Sequence, residues 1–255
     1  MSVRVNTWIK RIGKIILLSC ACLSFTVISD DASKDKNGDS GKITSEAHDL
    51  KPFTAVSLSG IGNLHIKQST EQGFTVEAEK SLLPLVIVYV KDKTLYIDLK
   101  NAADHTDAKI DYYLNIKELV KVDSFSTSTV YITNNFSGNE LTVTLNGLGE
   151  ADMSIDMKKL ILNINGGSKV IASGNANEQA IAITGAGEYK GGKLSGQTGS
   201  VSIAGSGLAN VHISDNLTIK ISGEGVVNYC GTPTITKDIS GKGIVTPLDE
   251  GQCHL

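Results

Sequence analysis

Six glycine-bearing turns are the first residues in this sequence that could do chemistry. They are Asn146-Gly147-Leu148-Gly149, Asn165-Gly166-Gly167-Ser168, Thr184-Gly185-Ala186-Gly187, Ala204-Gly205-Ser206-Gly207, Ser222-Gly223-Glu224-Gly225 and Ser240-Gly241-Lys242-Gly243. A Gly-x-Gly turn can bring backbone close to a phosphate, but a dinucleotide site needs a third glycine opening a helix. Lys190, Asn210 and Asn228 hold the third-glycine place, and strand patterns flank both sides of the turns. No P-loop and no Gly-x-Ser-x-Gly elbow occurs. His48, His65, His105, His212 and His254 are scattered, with neither Cys-x-x-Cys nor His-Glu-x-x-His among them. His65 and His212 sit in strand patterns and read as surface or edge residues. Calcium-binding nonapeptide repeats need a regular Asp, yet Asp152 gives way to Ile171 one repeat later. The sequence therefore assigns no catalytic residue, no metal ligand and no cofactor-binding residue.

The four cysteines divide by position. Arg4, Lys10, Arg11 and Lys14 precede an almost uncharged apolar run from residue 15 to residue 28, the order of a secretory signal peptide. The run is shorter than the roughly 20 residues of a spanning helix. Val27-Ile28-Ser29 suits cleavage before Asp30. Leu17-Leu18-Ser19-Cys20 resembles a lipobox, which would put a lipid on Cys20 and leave a lipid anchor as the membrane attachment. Cys20 and Cys22 otherwise leave with the leader. Cys230 and Cys253 remain, and in an oxidising compartment they could pair and tie the C-terminal tail to the domain. Residues 30–49 begin with the polar run 30–42 and read as a flexible tether before the fold.

The full chain carries 24 Lys+Arg and 27 Asp+Glu, a net charge of −3. Losing the four leader cations leaves 20 against 27, a net of −7. An acidic exported chain disfavours nucleic acid as a partner.

The glycine turns are positioned by a repeat. Their first glycines step by 19, 19, 20, 18 and 18 residues. Alternating apolar and polar residues precede each turn, so one face is buried. Stacked in register, the copies predict an inward column Leu145, Ile164, Ile183, Ile203, Ile221, Ile239. A second column, Val143, Leu162, Ile181, Val201, Ile219, breaks at Lys237 in the last copy, where a polar cap belongs. After the turns, Ala151, Val170, Tyr189, Ala209, Val227 and Val245 align. The fold expected is all-β: a single-stranded parallel β-helix of about 18–20 residues per coil. The turn glycines Gly147, Gly149, Gly166, Gly185, Gly187, Gly205, Gly207, Gly223, Gly225, Gly241 and Gly243 make its corners. Glu150, Lys169 and Glu188 share one place in successive coils, which reads as a surface ladder of alternating charge.

Residues 52–118 look different. Strand patterns at 53–58, 63–68, 74–79, 85–91, 94–100 and 110–116 appear longer, with a hairpin at 90–95. This N-terminal region is expected to cap the open end of the coils, whose strand edges would otherwise be exposed. Ser126-Thr127-Ser128-Thr129 stands where an earlier coil would have its glycine turn.

Pro52-Phe53-Thr54-Ala55-Val56-Ser57-Leu58-Ser59-Gly60-Ile61-Gly62-Asn63 resembles the opening of the auto-transporter adhesin head GIN domain family. Leu83-Pro84-Leu85, the Lys91-Asp92-Lys93 hairpin, Leu114-Asn115-Ile116-Lys117-Glu118-Leu119 and the Gly-x-Gly turns fit it too. The resemblance spans roughly residues 50–248, leaving 249–255 as a tail. It implies a bacterial exported β-helix domain with no catalytic or ligand-binding residues to carry over.

From these readings the expected function is a non-catalytic, adhesin-like binding module of the cell envelope: periplasmic, on the outer-membrane surface or secreted. A regular face of Ser, Thr, Asn and Gly suits a glycan or a surface protein as partner. Two alternatives stay open. One is a carbohydrate-active β-helix enzyme, which would need clustered carboxylates or a Lys/Arg base; the chain has no Arg beyond Arg11. The other is a structural protein that associates with copies of itself as a homo-oligomer.

Overall fold

The computed structural model describes residues 41–249 and 251–253. The signal peptide, its cut sites, Cys20 and His254 lie outside the described residues. No helix among the described residues is long and apolar enough to cross a membrane.

The described chain is a parallel β-solenoid of about 7 turns. Its strands are β1 (Ile43–His48), β2 (Ala55–Leu58), β3 (Asn63–Gln68), β4 (Gly73–Glu79), β5 (Val86–Lys91), β6 (Thr94–Leu99), β7 (Ile110–Ile116) and β8 (Lys121–Ser126). The long strands follow: β9 (Thr129–Gly147), β10 (Glu150–Gly166), β11 (Lys169–Gly185), β12 (Glu188–Gly205) and β13 (Leu208–Gly223). The last are β14 (Val226–Cys230), β15 (Thr234–Gly241) and β16 (Ile244–Pro247).

The inward columns read from the sequence are the register observed. Leu145 pairs with Ile164, Ile164 with Ile183, Ile183 with Ile203, Ile203 with Ile221, and Ile221 with Ile239. From Leu145 to Ile221 this spine is buried, each side chain contributing about 1.5–3 kcal/mol relative to exposure. Ile239, on the last coil, is 39% exposed, and Lys237 pairs with Ile219 there. Ala151, Val170, Tyr189, Ala209, Val227 and Val245 form the second wall in that order.

The glycines do two different jobs at the corner. Gly147, Gly166, Gly185, Gly205, Gly223 and Gly241 have φ between 112° and 128°, where L side chains are strained. A Cβ on Gly166 would also lie 2.5 Å from the Gly147 carbonyl oxygen. That oxygen accepts from the Gly167 N–H at 2.9 Å, so the corner backbones must touch to hydrogen-bond. The second glycine of the turn is steric. A Cβ on Gly207 or Gly225 would press on the Cγ2 of Ile183 or Ile203, at 2.6 Å.

The 20-residue step between Gly185 and Gly205 also has a structural cause. Register shifts between Ile171 and Ser173 against Lys190 and Lys193, a bulge carrying Gly191 and Gly192.

Three expectations need correction. Residues 43–48, placed in the tether, form β1 and pair antiparallel with β4. The strand lies at the rim and is mostly exposed, so it carries no apolar alternation to read. The strand-length contrast is reversed: β9 to β13 run 16–19 residues, whereas β2 to β8 run 4–7. Pairing in the coils continues through bends that side-chain patterning marks as boundaries. Finally, only part of the N-terminal region is a cap. β6 pairs parallel with β2 and β2 with β8; β7 pairs parallel with β3 and β3 with β9. The first turn, β2–β3, is thus sandwiched between the second, β6–β7, and the third, β8–β9. The cap proper is antiparallel: β5 closes β6, and β4 with β1 closes β7. Asp92 and Lys93 both have positive φ, 49° and 59°, as the tight hairpin joining β5 to β6 requires.

Candidate functional site

The out-of-sequence stacking brings together side chains that are far apart in the chain. In β7, β3 and β9 the inward residues are Tyr112 and Leu114, Leu64 and Ile66, and Val130 and Ile132, all buried. Alternation turns Tyr113, His65 and Tyr131 outward. The register aligns them: Tyr113 opposite His65, and His65 opposite Tyr131. Strands about 4.8 Å apart place their rings in a continuous stack. His65 lies 4.9 Å from Tyr113 at 14° and 5.0 Å from Tyr131 at 10°.

Polar groups hold this stack at its side. The Asp111 carboxylate takes the Asn63 amide at 3.0 Å and lies 2.9 Å from His65 Nε2. The Tyr113 phenol is pushed above its ordinary value of 10.0, first by desolvation, then by the charges of Asp111 and Glu77, and by a hydrogen bond to Glu77. It therefore stays protonated and can donate.

Below Tyr131 the column changes character. Tyr131 is opposite Asp152, Asp152 opposite Ile171, and Ile171 opposite Lys190. A cleft of about 170 Å³ opens there, lined by Thr129, Tyr131, Glu150, Asp152, Lys169 and Ile171.

The structure does place Glu150, Lys169 and Glu188 in one column. No ion pair within 4.0 Å joins Lys169 to either carboxylate among the described residues; Glu188 instead reaches Lys190 on its own strand, at 3.5 Å. Charge pairing between coils occurs elsewhere, from Lys159 to Glu178 at 2.7 Å. That contact raises the Lys159 pKa through its hydrogen bond and charge.

The opposite wall carries the hydroxyl and amide face. Thr144 and Asn163, and Asn146 and Asn165, stack outward in register. Asn165 donates to Asn146 at 2.9 Å, so part of this polarity is satisfied within the wall.

At the C-terminal end Cys230 and Cys253 are joined, 23 residues apart, with Cα atoms 5.9 Å apart. The clasp borders a cavity of about 460 Å³ that also includes His212, Thr232, Leu248 and Asp249. The Gly191-Gly192 bulge makes the seat: a Cβ on Gly192 would strike the Cys253 carbonyl oxygen. Beneath it the buried Tyr189 hydroxyl donates to Gln179 Oε1 at 3.3 Å, and Gln179 donates to the Leu194 carbonyl at 3.0 Å.

Sequence reasoning treated His65 as an isolated surface residue and passed over Tyr113, Tyr131 and Asp111. The missing signal was the order of the layers, since the three strands are not successive. No cluster of three or more potential metal-ligating side chains occurs among the described residues.

Residues 52–233 match the family model described as "Putative auto-transporter adhesin, head GIN domain". The chain belongs to this family. Its fold is shared with solved structures. A putative adhesin from Bacteroides fragilis NCTC 9343 superposes with a TM-score of 0.75 at 22% identity, covering 82% of this chain and 99% of that one. A putative lipid binding protein from Parabacteroides distasonis ATCC 8503 gives 0.68 at 18%, covering 82% and 98%. A putative adhesin from Parabacteroides merdae ATCC 43184 gives 0.65 at 22%, covering 82% and 97%. No curated protein matches the sequence. At these identities the solved neighbours of this GIN-domain chain establish the shared fold, and its chemistry rests on its own residues.

Proposed function

We propose that this GIN-domain protein is a non-catalytic, adhesin-like binding module that works outside the cytoplasm, with a glycan or surface protein as its partner. The observation that carries this reading is the Tyr113–His65–Tyr131 stack, displayed on the outward side of a rigid solenoid. Aromatic side chains are large, rigid and amphipathic, so they give contact area at small entropic cost. The adhesin description of the family supports the reading, as does the leader pattern of residues 1–29 for export. An optional lipid on Cys20 would anchor the same module to a membrane.

The test joins a glycan array and immobilised cell surfaces to a panel of polysaccharide turnover assays. Binding without turnover is expected. Turnover abolished by Glu188→Gln would replace the module with an enzyme. Intact mass of the exported protein fixes the cut site and any lipid on Cys20.

Self-association is a second reading. It rests on the last coil, where no described strand pairs the outer edges of β15 and β16 and where Ile239 and Ile244 are 39% and 56% exposed. Sedimentation that finds only monomer at high concentration removes it.

A further inference from the structure

We infer that the cleft below Tyr131 is a subsite for a single pyranose ring, the sugar continuing the aromatic stack by one rung. This rests on the binding-module reading above and assigns its ligand class and place.

The argument is one of spacing. In the outward column Tyr113, His65 and Tyr131 occupy three adjacent layers, ring on ring, at 4.9 and 5.0 Å. One face of Tyr131 is covered by His65. The other looks along the same column towards Asp152, whose side chain is shorter than a ring. That layer is filled near the backbone and empty beyond it. The layer after that holds Ile171, 37% exposed. Tyr131 and Ile171 are therefore two strand spacings apart, about 9.6 Å. That gap takes one ring between two apolar surfaces, at the separation aromatic stacks prefer.

The size and the polar groups agree. The cleft holds about 170 Å³, below the roughly 300–1,000 Å³ of sites for drug-sized ligands. It suits one ring of a chain whose other units lie in solvent. A pyranose has C–H faces above and below and hydroxyls around its edge. Tyr131 and Ile171 meet the faces. Asp152, Glu150 and Lys169 line the edge with acceptors and a donor. Lys169 has no carboxylate within 4.0 Å among the described residues, so it is available to a sugar oxygen. A flat aromatic ligand would use the faces but make no use of these three charged groups, which the hydroxyls of a sugar can hydrogen-bond.

The experiment titrates the full exported protein with a panel of methyl pyranosides, and separately with indole, followed by saturation-transfer and chemical-shift NMR. Wild type is expected to bind at least one pyranoside, with saturation passing to its ring C–H protons. Asp152→Tyr is the decisive variant. It extends the stack by a fourth ring and fills the cleft without touching the core. Ile171→Lys removes the lower apolar face at an exposed position. Each should weaken binding by on the order of 10-fold or more, about 1.4 kcal/mol, with the thermal midpoint held near wild type. Pyranoside binding unchanged in Asp152→Tyr overturns the proposal, as does binding of indole alone or of neither probe. The wild type and Asp152→Tyr are also compared on glycan arrays and cell surfaces. Equal binding there would sink the subsite while leaving the binding module standing; no binding by either would sink both.

Discussion

The regular coils from β10 to β16 and the upper layers from β1 to β9 are built from the same β-bridges but use them differently. In the lower coils each layer follows the last in sequence, so like residues stack on like: isoleucine on isoleucine, glycine on glycine. In the upper layers the chain places its second turn above its first and its third below. Tyrosine, histidine and aspartate from distant segments therefore become neighbours. Of the 13 aromatic residues in the chain, only Tyr189 and Tyr229 fall after residue 147. Repetition makes a uniform, self-supporting wall, and a uniform wall has no special place for a ligand. Departure from repetition is what concentrates unlike chemistry at one spot. The candidate cleft lies at the junction, where the aromatic stack gives way to the repeat.

The comparison breaks most severely at the corner. Gly166→Val should cost at least about 3–5 kcal/mol, because positive φ and backbone crowding act together. Failure to accumulate folded protein, or a melting point lowered by many degrees, is the expected result. A mild effect would mean the corners can open and the lower coils are not a tight stack.

Next come the spine and its end. Ile183→Ala should cost about 2–5 kcal/mol as a fully buried large-to-small change, and Ile239→Ala less than about 1 kcal/mol. Denaturant unfolding of the two variants measures the difference. Equal losses would show that the last coil is as covered as the interior.

The clasp should count for somewhat less. A disulfide closing a loop of this length is worth about 3 kcal/mol in the chain-entropy model. Cys230→Ser with Cys253→Ser should lower the melting point of the oxidised protein to that of the reduced wild type. No change on reduction, with intact mass confirming the bond was present, would show that the tail is held by packing alone.

The smallest effect under ordinary conditions is in alkali. Burial raises the Tyr189 phenol above its ordinary value of 10.0, and burial followed by the charge of Asp98 does the same for Tyr112. A raised folded-state pKa means the stability is fully present below pH 10 and is lost as pH climbs towards the folded value. Ultraviolet titration should show these two ionising only with unfolding. Tyr189→Phe should move the alkaline unfolding midpoint upward. An early, reversible ionisation of all tyrosines would contradict the burial of both.

The lower coils were legible because stacking imposes a strict demand on every copy. A one-residue slip would turn the whole isoleucine column to solvent, so the pattern at 145, 164, 183, 203, 221 and 239 admits one register. The clasp was half legible: Cys230 and Cys253 could be named, but the Gly191-Gly192 bulge that seats the tail looked like an irregular step. In the upper half β2 to β7 could be placed within a residue or two, yet β8 went unread and so did β1, because a wet rim strand has no alternation.

By itself, then, the sequence determined the family, the β-helix, the column register and the corner glycines, all of which follow from periodic local constraints. Only the tertiary structure decided that β3 lies between β7 and β9, and with it the partners of His65. The reason is that the first three turns meet through strands with similar apolar alternation. That alternation specifies which side of a strand faces inward but not which strand comes next. The order becomes visible only in the pairings themselves, β2 between β6 and β8 and β3 between β7 and β9.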